Sequence, residues 1–248
     1  IIVKLLHICI FYPTFAKKIT NDMNKAYFFD MDGVLLDSMP NHAVAWEETM
    51  KLHNLPFTVR DCYLNEGRTG ESVINEAMWK ARNRKATSDE IQTIYTEKSA
   101  YFTMLEKKAG GTPSIPGVAE VLKYIHSCQD QIWVVTGSGM RTLLDNLNNV
   151  LPPIFQKEKM ITAFDVVKGK PDPEPYLKAW EGSGLSKAQC VVIENAPLGI
   201  RSGKTAGLTV YAVNTGILTR DDLLVAGADK VFDTMQELLE ELKVENTL

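Results

Sequence analysis

The apolar positions along the chain fall into two textures. From Ala26 to Phe29 four apolar residues run without a break and end at Asp30-Met31-Asp32-Gly33, followed by Val34 and Leu35. A short unbroken apolar run bounded by polar residues predicts a strand buried on both faces, as in a parallel sheet. From Pro40 to about Lys108 the strand pattern disappears. His42, Trp46 and Met50 recur at helical spacing, and Ser72–Arg82 and Ser88–Lys107 predict two further helices. Asn65-Glu66-Gly67-Arg68-Thr69-Gly70 reads as a polar turn. The whole segment predicts an all-helical insertion.

After Gly110-Gly111-Thr112-Pro113, a linker by composition, strands alternate with helices. Pro116-Gly117-Val118 opens a helix, and the strand Ile132–Val135 stops at Thr136-Gly137. A helix over Arg141–Asn148 and a short strand over Met160–Phe164 follow. Lys170-Pro171-Asp172-Pro173 precedes a helix through Trp180, and the strand Val191–Ile193 stops at Glu194-Asn195. Leu198–Ala206 is a helix and Thr209–Val213 a strand. Such alternation predicts an α/β fold, a doubly wound Rossmann-like parallel sheet with helices on both faces.

Composition narrows the function classes. The apolar content of 45% suits a globular protein with a substantial core. The net charge of −4 comes with no basic block, which argues against a nucleic-acid partner. Cys9, Cys62, Cys128 and Cys190 form no Cys-x-x-Cys pair, so reduced thiols and a cytoplasmic setting are expected. The four histidines show no zinc-ligand spacing. The stretch Ile1–Ala16 is mostly apolar but too short and interrupted to span a membrane. It could pass for the core of an export signal, yet Met23 stands just ahead of the first strand. Residues 1–22 are therefore expected to precede the true start. A monomer is expected, with no membrane partner.

The chemistry gathers at strand ends. Asp30 and Asp32 follow the first strand, Thr136 the second, and Glu194 with Asn195 a later one, while Lys170 stands just before a helix. In a parallel sheet the carboxyl ends of the strands share one edge, so these groups can meet. Two carboxylates so close cannot both ionise freely unless a cation holds them, or one keeps its proton and serves as an acid. A calcium loop is a poor match. Counted from Asp30, such a loop needs glycine at the sixth position and glutamate at the twelfth, whereas here the glycine is fourth and the twelfth residue is Asn41. Each group also has a plain alternative: a strand-to-helix turn at Thr136, a solvated lysine at Lys170, an acid at a helix N-terminus at Glu194.

Four motifs settle the choice as a set. Asp30-Met31-Asp32-Gly33-Val34-Leu35-Leu36-Asp37-Ser38, Val135-Thr136-Gly137-Ser138, Gly169-Lys170-Pro171-Asp172-Pro173 and Glu194-Asn195-Ala196-Pro197-Leu198-Gly199-Ile200 resemble, in order, those of the haloacid dehalogenase superfamily. The helical insertion after the first motif resembles the cap of its β-phosphoglucomutase-like group. The resemblance implies a catalytic core over residues 23–38 and 111–248 and a helical cap domain over 39–110. It implies Asp30 as the nucleophile that becomes phospho-aspartate, Asp32 as general acid and base, Thr136 as a binder of phosphoryl oxygens and Lys170 as the balancing charge. It implies Mg²⁺ on Asp30, the Asp32 carbonyl and Asn195, with Glu194 nearby, and a substrate site that takes in His42, Gly137 and Ser138. Many relatives carry Asp where this chain has Asn195, which removes a charge from the metal site.

The substrate is read from the turn at Asn65–Gly70. Sugar-phosphate mutases of the group carry a lysine shortly before its glycine and an arginine three residues after, whereas this chain has Glu66 before Gly67, and Gly70 in the arginine's place. A glutamate facing a phosphate is repulsive, by roughly 1 kcal/mol at about 4 Å even in water. It fits if it joins Asn195 on Mg²⁺ when the cap closes over a small substrate. Together with Met39-Pro40-Asn41-His42, these residues are similar to an inorganic pyrophosphatase branch of the group. The expectation is therefore Mg²⁺-dependent hydrolysis of pyrophosphate, with Arg68 meeting the second phosphate. β-Phosphoglucomutase or a broad sugar-phosphate phosphatase is the alternative.

Overall fold

The computed structural model describes residues 24–139 and 143–246. The extension 1–22, Met23 and the start of the helix expected from Arg141 lie outside them. Six strands form one parallel sheet: β1 (Ala26–Phe29), β2 (Gln131–Val135), β3 (Met160–Ile161), β4 (Cys190–Glu194), β5 (Thr209–Val213) and β6 (Lys230–Phe232). Their spatial order is β3-β2-β1-β4-β5-β6. Strand β1 is central, with Ala26 opposite both Gln131 of β2 and Cys190 of β4.

Side chains of a strand alternate between the sheet's faces, so β1 feeds two cores. Tyr27 and Phe29 join the cluster beneath α5 (Val118–Ser127) and α10 (Met235–Glu245), while Ala26 and Phe28 join the one beneath α7 (Glu174–Ser183), α8 (Pro197–Thr205) and α9 (Arg220–Ala226). All four are fully buried, which accounts for an unbroken apolar run rather than an alternating one. Helix α6 (Leu143–Val150) adds Leu147 to the first cluster.

The insertion between β1 and α5 is helical, as expected. It comprises α1 (Met39–Leu52), α2 (Val59–Leu64), α3 (Gly70–Arg82) and α4 (Ser88–Ala109) around a core of its own that includes Trp46, Met50, Ile74, Met78 and Ile94. The cap of α4 is Thr87: its hydroxyl accepts from the Glu90 amide and the Glu90 carboxylate accepts from the Thr87 amide. Helix α2 and the elements α9, β6 and α10 are additions to the sequence reading, and the strand expected over Met160–Phe164 is confined to its first two residues. Among the described residues no helix is long and apolar enough to cross a membrane. Cys62, Cys128 and Cys190 are unpaired.

Candidate active site

Asp30 is the first residue beyond β1, and its amide donates to the Ile193 carbonyl of β4 at 3.0 Å. Asp30 is only 2% exposed. Lys170, equally buried, holds it from the loop ahead of α7: its Nζ lies 2.5 Å from Asp30 Oδ1, 2.7 Å from Glu194 Oε1 and 3.0 Å from the Val135 carbonyl. Burial drives the Asp30 carboxyl up to about 8; Lys170 pulls it down, and Glu194 and Asp32 push it further up. Burial works against the Lys170 ammonium, yet Asp30 and Glu194 hold it well above the usual lysine value.

Glu194 proves to be committed to protein donors. Its Oε1 accepts from Lys170 and from the Tyr176 hydroxyl at 2.7 Å, and its Oε2 from the amides of Asn195 and Ala196 at 3.0 and 3.2 Å. The structure therefore places it as the brace of Lys170 and of the loop carrying Asn195, with no free oxygen aimed at the cavity. Thr136 is buried, its hydroxyl accepting from the Ser138 amide at 3.0 Å.

Asp32 sits in a different surrounding. Its Oδ1 accepts from the Ser38 hydroxyl at 2.5 Å and lies 3.4 Å from His42 Nε2, while His42 Nδ1 faces Lys98 Nζ of α4 at 2.7 Å. Burial raises the Asp32 carboxyl, but His42, Ser38 and Lys98 outweigh it and hold the group below its ordinary value. Burial and the Lys98 charge push His42 down. Burial brings Lys98 to about 8. A neutral His42 accepting from Lys98 and donating to Asp32 satisfies all three groups. His42, expected as a substrate contact, lines the cavity and also joins the helical insertion to Asp32; its ring stacks on Phe102 at 4.1 Å.

Glu66 enters from the turn after α2. It is buried, and its Oε1 accepts from Asn195 Nδ2 at 2.9 Å. Burial pushes its carboxyl well up, and the charge of Asp30 adds to that. Two oxygens here, Glu66 Oε2 and Asn195 Oδ1, are buried without a hydrogen-bond partner, a costly state unless something else binds them. Gly33, at φ +76°, makes room for the pair: a Cβ there would lie 2.1 Å from Asn195 Nδ2 and 2.8 Å from Glu66 Oε1. Crowded carboxylates and orphaned hard oxygen donors fit a divalent cation held by Asp30, Glu66, Asn195 and the Asp32 carbonyl. Among the described residues no three His, Cys, Asp or Glu side chains form a metal cluster by themselves; the set named here includes an amide and a main-chain oxygen. The same turn closes over the core. A Cβ on Gly137 would meet the Gly67 carbonyl at 2.6 Å, and one on Gly67 would meet Lys170 Cδ at 2.8 Å. Arg68 also lines the cavity; its Nη1 is paired with Glu76, while its Nε is buried without a hydrogen-bond partner.

The haloacid dehalogenase-like hydrolase family model matches residues 24–207. The chain belongs to that family. A Bacteroides vulgatus protein of known structure, provisionally described as a β-phosphoglucomutase, is 44% identical over 89% of this chain and 88% of its own, with a TM-score of 0.83. The β-phosphoglucomutase of Bacillus subtilis is 27% identical over 90% of this chain and 99% of its own. Hexitol phosphatase A of Escherichia coli is 28% identical over 86% and 95%. Within the family this hydrolase is thus β-phosphoglucomutase-like.

Sequence reasoning missed Lys98, Ser38 and Tyr176 as site residues. Lys98 left a signal: it shares the buried stripe Ile94, Lys98, Phe102 of α4, where an unpaired lysine does not belong. Tyr176 left none, because its role depends on Glu194 being brought beside it.

Proposed function

We propose that this hydrolase is a Mg²⁺-dependent phosphohydrolase working through phospho-Asp30, with pyrophosphate as its preferred substrate. The observation that carries the substrate choice is the Glu66–Asn195 pair, buried against Asp30 with one unpartnered oxygen on each side chain. In this reading an Asp30 oxygen bonds to phosphorus as the bond to the leaving oxygen breaks, and that oxygen takes a proton from Asp32. Asp32 then removes a proton from water, whose oxygen displaces Asp30 and releases phosphate. Lys170 balances the charge of Asp30, and the Thr136 hydroxyl with the Gly137 amide receives the phosphoryl oxygens, the Ser138 amide orienting that hydroxyl. Mg²⁺, held by Asp30, Glu66, Asn195 and the Asp32 carbonyl, supplies charge neutralisation. The low-lying Asp32 carboxyl suits a base; a phosphoryl group beside it opposes Lys98 and His42 and favours its protonated, acidic form.

A second reading, a phosphorylated carbohydrate as substrate, is supported by the names of the relatives, among them a hexitol phosphatase and β-phosphoglucomutases. The deciding experiment is phosphate release from pyrophosphate, β-glucose 1-phosphate and hexose 6-phosphates across a Mg²⁺ series, for wild type and Glu66→Ala. The expected result is the highest kcat/KM on pyrophosphate, a larger loss in Glu66→Ala on pyrophosphate than on any monoester, and weaker apparent Mg²⁺ affinity. Preference for a hexose phosphate, with Glu66→Ala neutral, would move the assignment to the carbohydrate reading. A requirement for a sugar bisphosphate activator would mark a mutase.

A further inference from the structure

One loop of the sheet domain reaches into the helical insertion. It runs from Asn214 to Thr219, between β5 and α9, and it touches both sides of the Glu66–Asn195 pair. On one side the Thr215 hydroxyl donates to the Gly33 carbonyl at 2.5 Å, and Gly33 is the residue that makes room for that pair. On the other side Leu218, only 5% exposed, joins the apolar cluster of the insertion with Trp46, Cys62, Tyr63 and Val73. Among the described residues every other buried member of that cluster lies within 39–94. Gly216 faces the same helix, since a Cβ there would lie 3.1 Å from Cδ1 and Cε1 of Tyr63. Its backbone is not left-handed, so the nearness of the Tyr63 ring is what a side chain would contend with. Arg60 of α2 and Asp222 of α9 pair beside this contact at 3.6 Å.

Both partners are fixed from within. The Thr219 hydroxyl accepts from the Asp222 amide and the Asp222 carboxylate accepts from the Thr219 amide, while the Asn214 amide donates to the Phe232 carbonyl of β6 at 2.8 Å. Helix α2 has its own reciprocal cap between Thr58 and Asp61. Glu66 follows Tyr63 by three residues, and the Asn65 amide donates back to the Asp61 carbonyl at 3.0 Å. A shift of α2 therefore carries Glu66 with it. We propose that Leu218 and Gly216 are positioning residues for Glu66: their loop clasps α2 against Gly33 and thereby sets the Glu66 carboxylate beside Asn195. The inference deepens the phosphohydrolase reading and rests on its metal set.

The test takes wild type, Leu218→Ala, Leu218→Met and Gly216→Val, each with and without Glu66→Ala, through a Mg²⁺ titration. The apparent Mg²⁺ dissociation constant is read from the metal-dependent rise in melting temperature, and kcat/KM on pyrophosphate is measured in parallel. A merely structural loss lowers the metal-free melting temperature and leaves that constant where it was. The constant should rise about tenfold in Leu218→Ala and Gly216→Val, the scale for disturbing what holds a metal ligand in place. It should stay near wild type in Leu218→Met, which keeps the volume. In the Glu66→Ala background the rise should vanish, because residues that act through Glu66 then have nothing to act on. Gly216→Val removes no packing, so it carries the test if Leu218→Ala fails to fold. An unmoved constant in either folded variant overturns the proposal. So does an equal rise with and without Glu66, or a Glu66→Ala protein that binds Mg²⁺ as wild type does. A wild type that binds Mg²⁺ yet hydrolyses no phosphate compound overturns the phosphohydrolase reading instead, and the melting series still judges the clasp.

Discussion

Two aspartates one residue apart end up in opposite states, and the cause is what each one touches. Asp30 is buried among like charges with a lysine on one oxygen and is pushed up to about 8; Asp32 is clasped by Ser38 and His42 and held below its ordinary value. Without a cation this order runs opposite to the proposed roles, since a nucleophile must be ionised and an acid protonated. A divalent cation on Asp30 would bring its carboxyl back down, and a phosphoryl group beside Asp32 would raise that one. Asp30→Asn should cut turnover to less than about a hundredth of wild type, the scale expected for losing a nucleophile, with the circular dichroism spectrum unchanged. Steady-state phosphate release checks it. Asp32→Asn should cost about a hundredfold on an alkyl phosphate and clearly less on a nitrophenyl ester, whose leaving oxygen needs little protonation. Equal losses on the two esters would remove Asp32 from the acid role. At this scale motif spacing made Asp30, Asp32, Thr136, Lys170 and Asn195 legible, because residues at strand ends are placed by the sheet itself. Glu194 was legible as part of the site, but not its commitment to Lys170 and Tyr176. Lys98 escaped because its partner His42 arrives from another helix, fifty-six residues earlier in the chain.

Elements position the site by their ends. Helix α4 carries Lys98, so its start matters to chemistry well along its length. Thr87→Ala removes the reciprocal bonds with Glu90 and should lower stability by about 1 kcal/mol, read as a drop in melting temperature. The turn at Gly67 meets the loop at Gly137 through bare backbone. Gly137→Ala should hold the two apart by the width of a methyl group and lower kcat more than tenfold, roughly the effect of misplacing a closing element. An unaltered rate in that variant would mean that the contact is incidental to turnover. Helices with long apolar stripes were legible in the sequence, as were the strands flanking the motifs. Helix α2 has six residues, fewer than two turns, and β6 has three, so neither carries enough periods to stand out.

For the whole molecule, the cluster of buried carboxylates links folding to proton and metal binding. Asp30 titrates near 3.8 when unfolded and near 8 when folded, so between these values the folded state holds the extra proton. The metal-free protein should therefore lose stability as pH rises from about 4 to about 8. Mg²⁺ replaces that proton, so its stabilising effect should be larger at pH 8 than at pH 5. Thermal melts with Mg²⁺ and with chelator, at both pH values, check the sign; a larger shift at pH 5 would contradict it. The fold class was the most legible property of all, because alternating elements leave few topologies open. Yet the order of the sheet has a consequence for how the protein is made. Strand β1 lies between β2 and β4, and Ala26 must wait for Cys190 to be translated before its second edge is covered. Until then the ribosome carries an apolar strand with one raw edge and a buried acid lacking its lysine. Such distant pairing is slow to form and exposed to aggregation meanwhile. The growing chain thus reaches Asp30 early and activity only late, when most of the polypeptide has emerged.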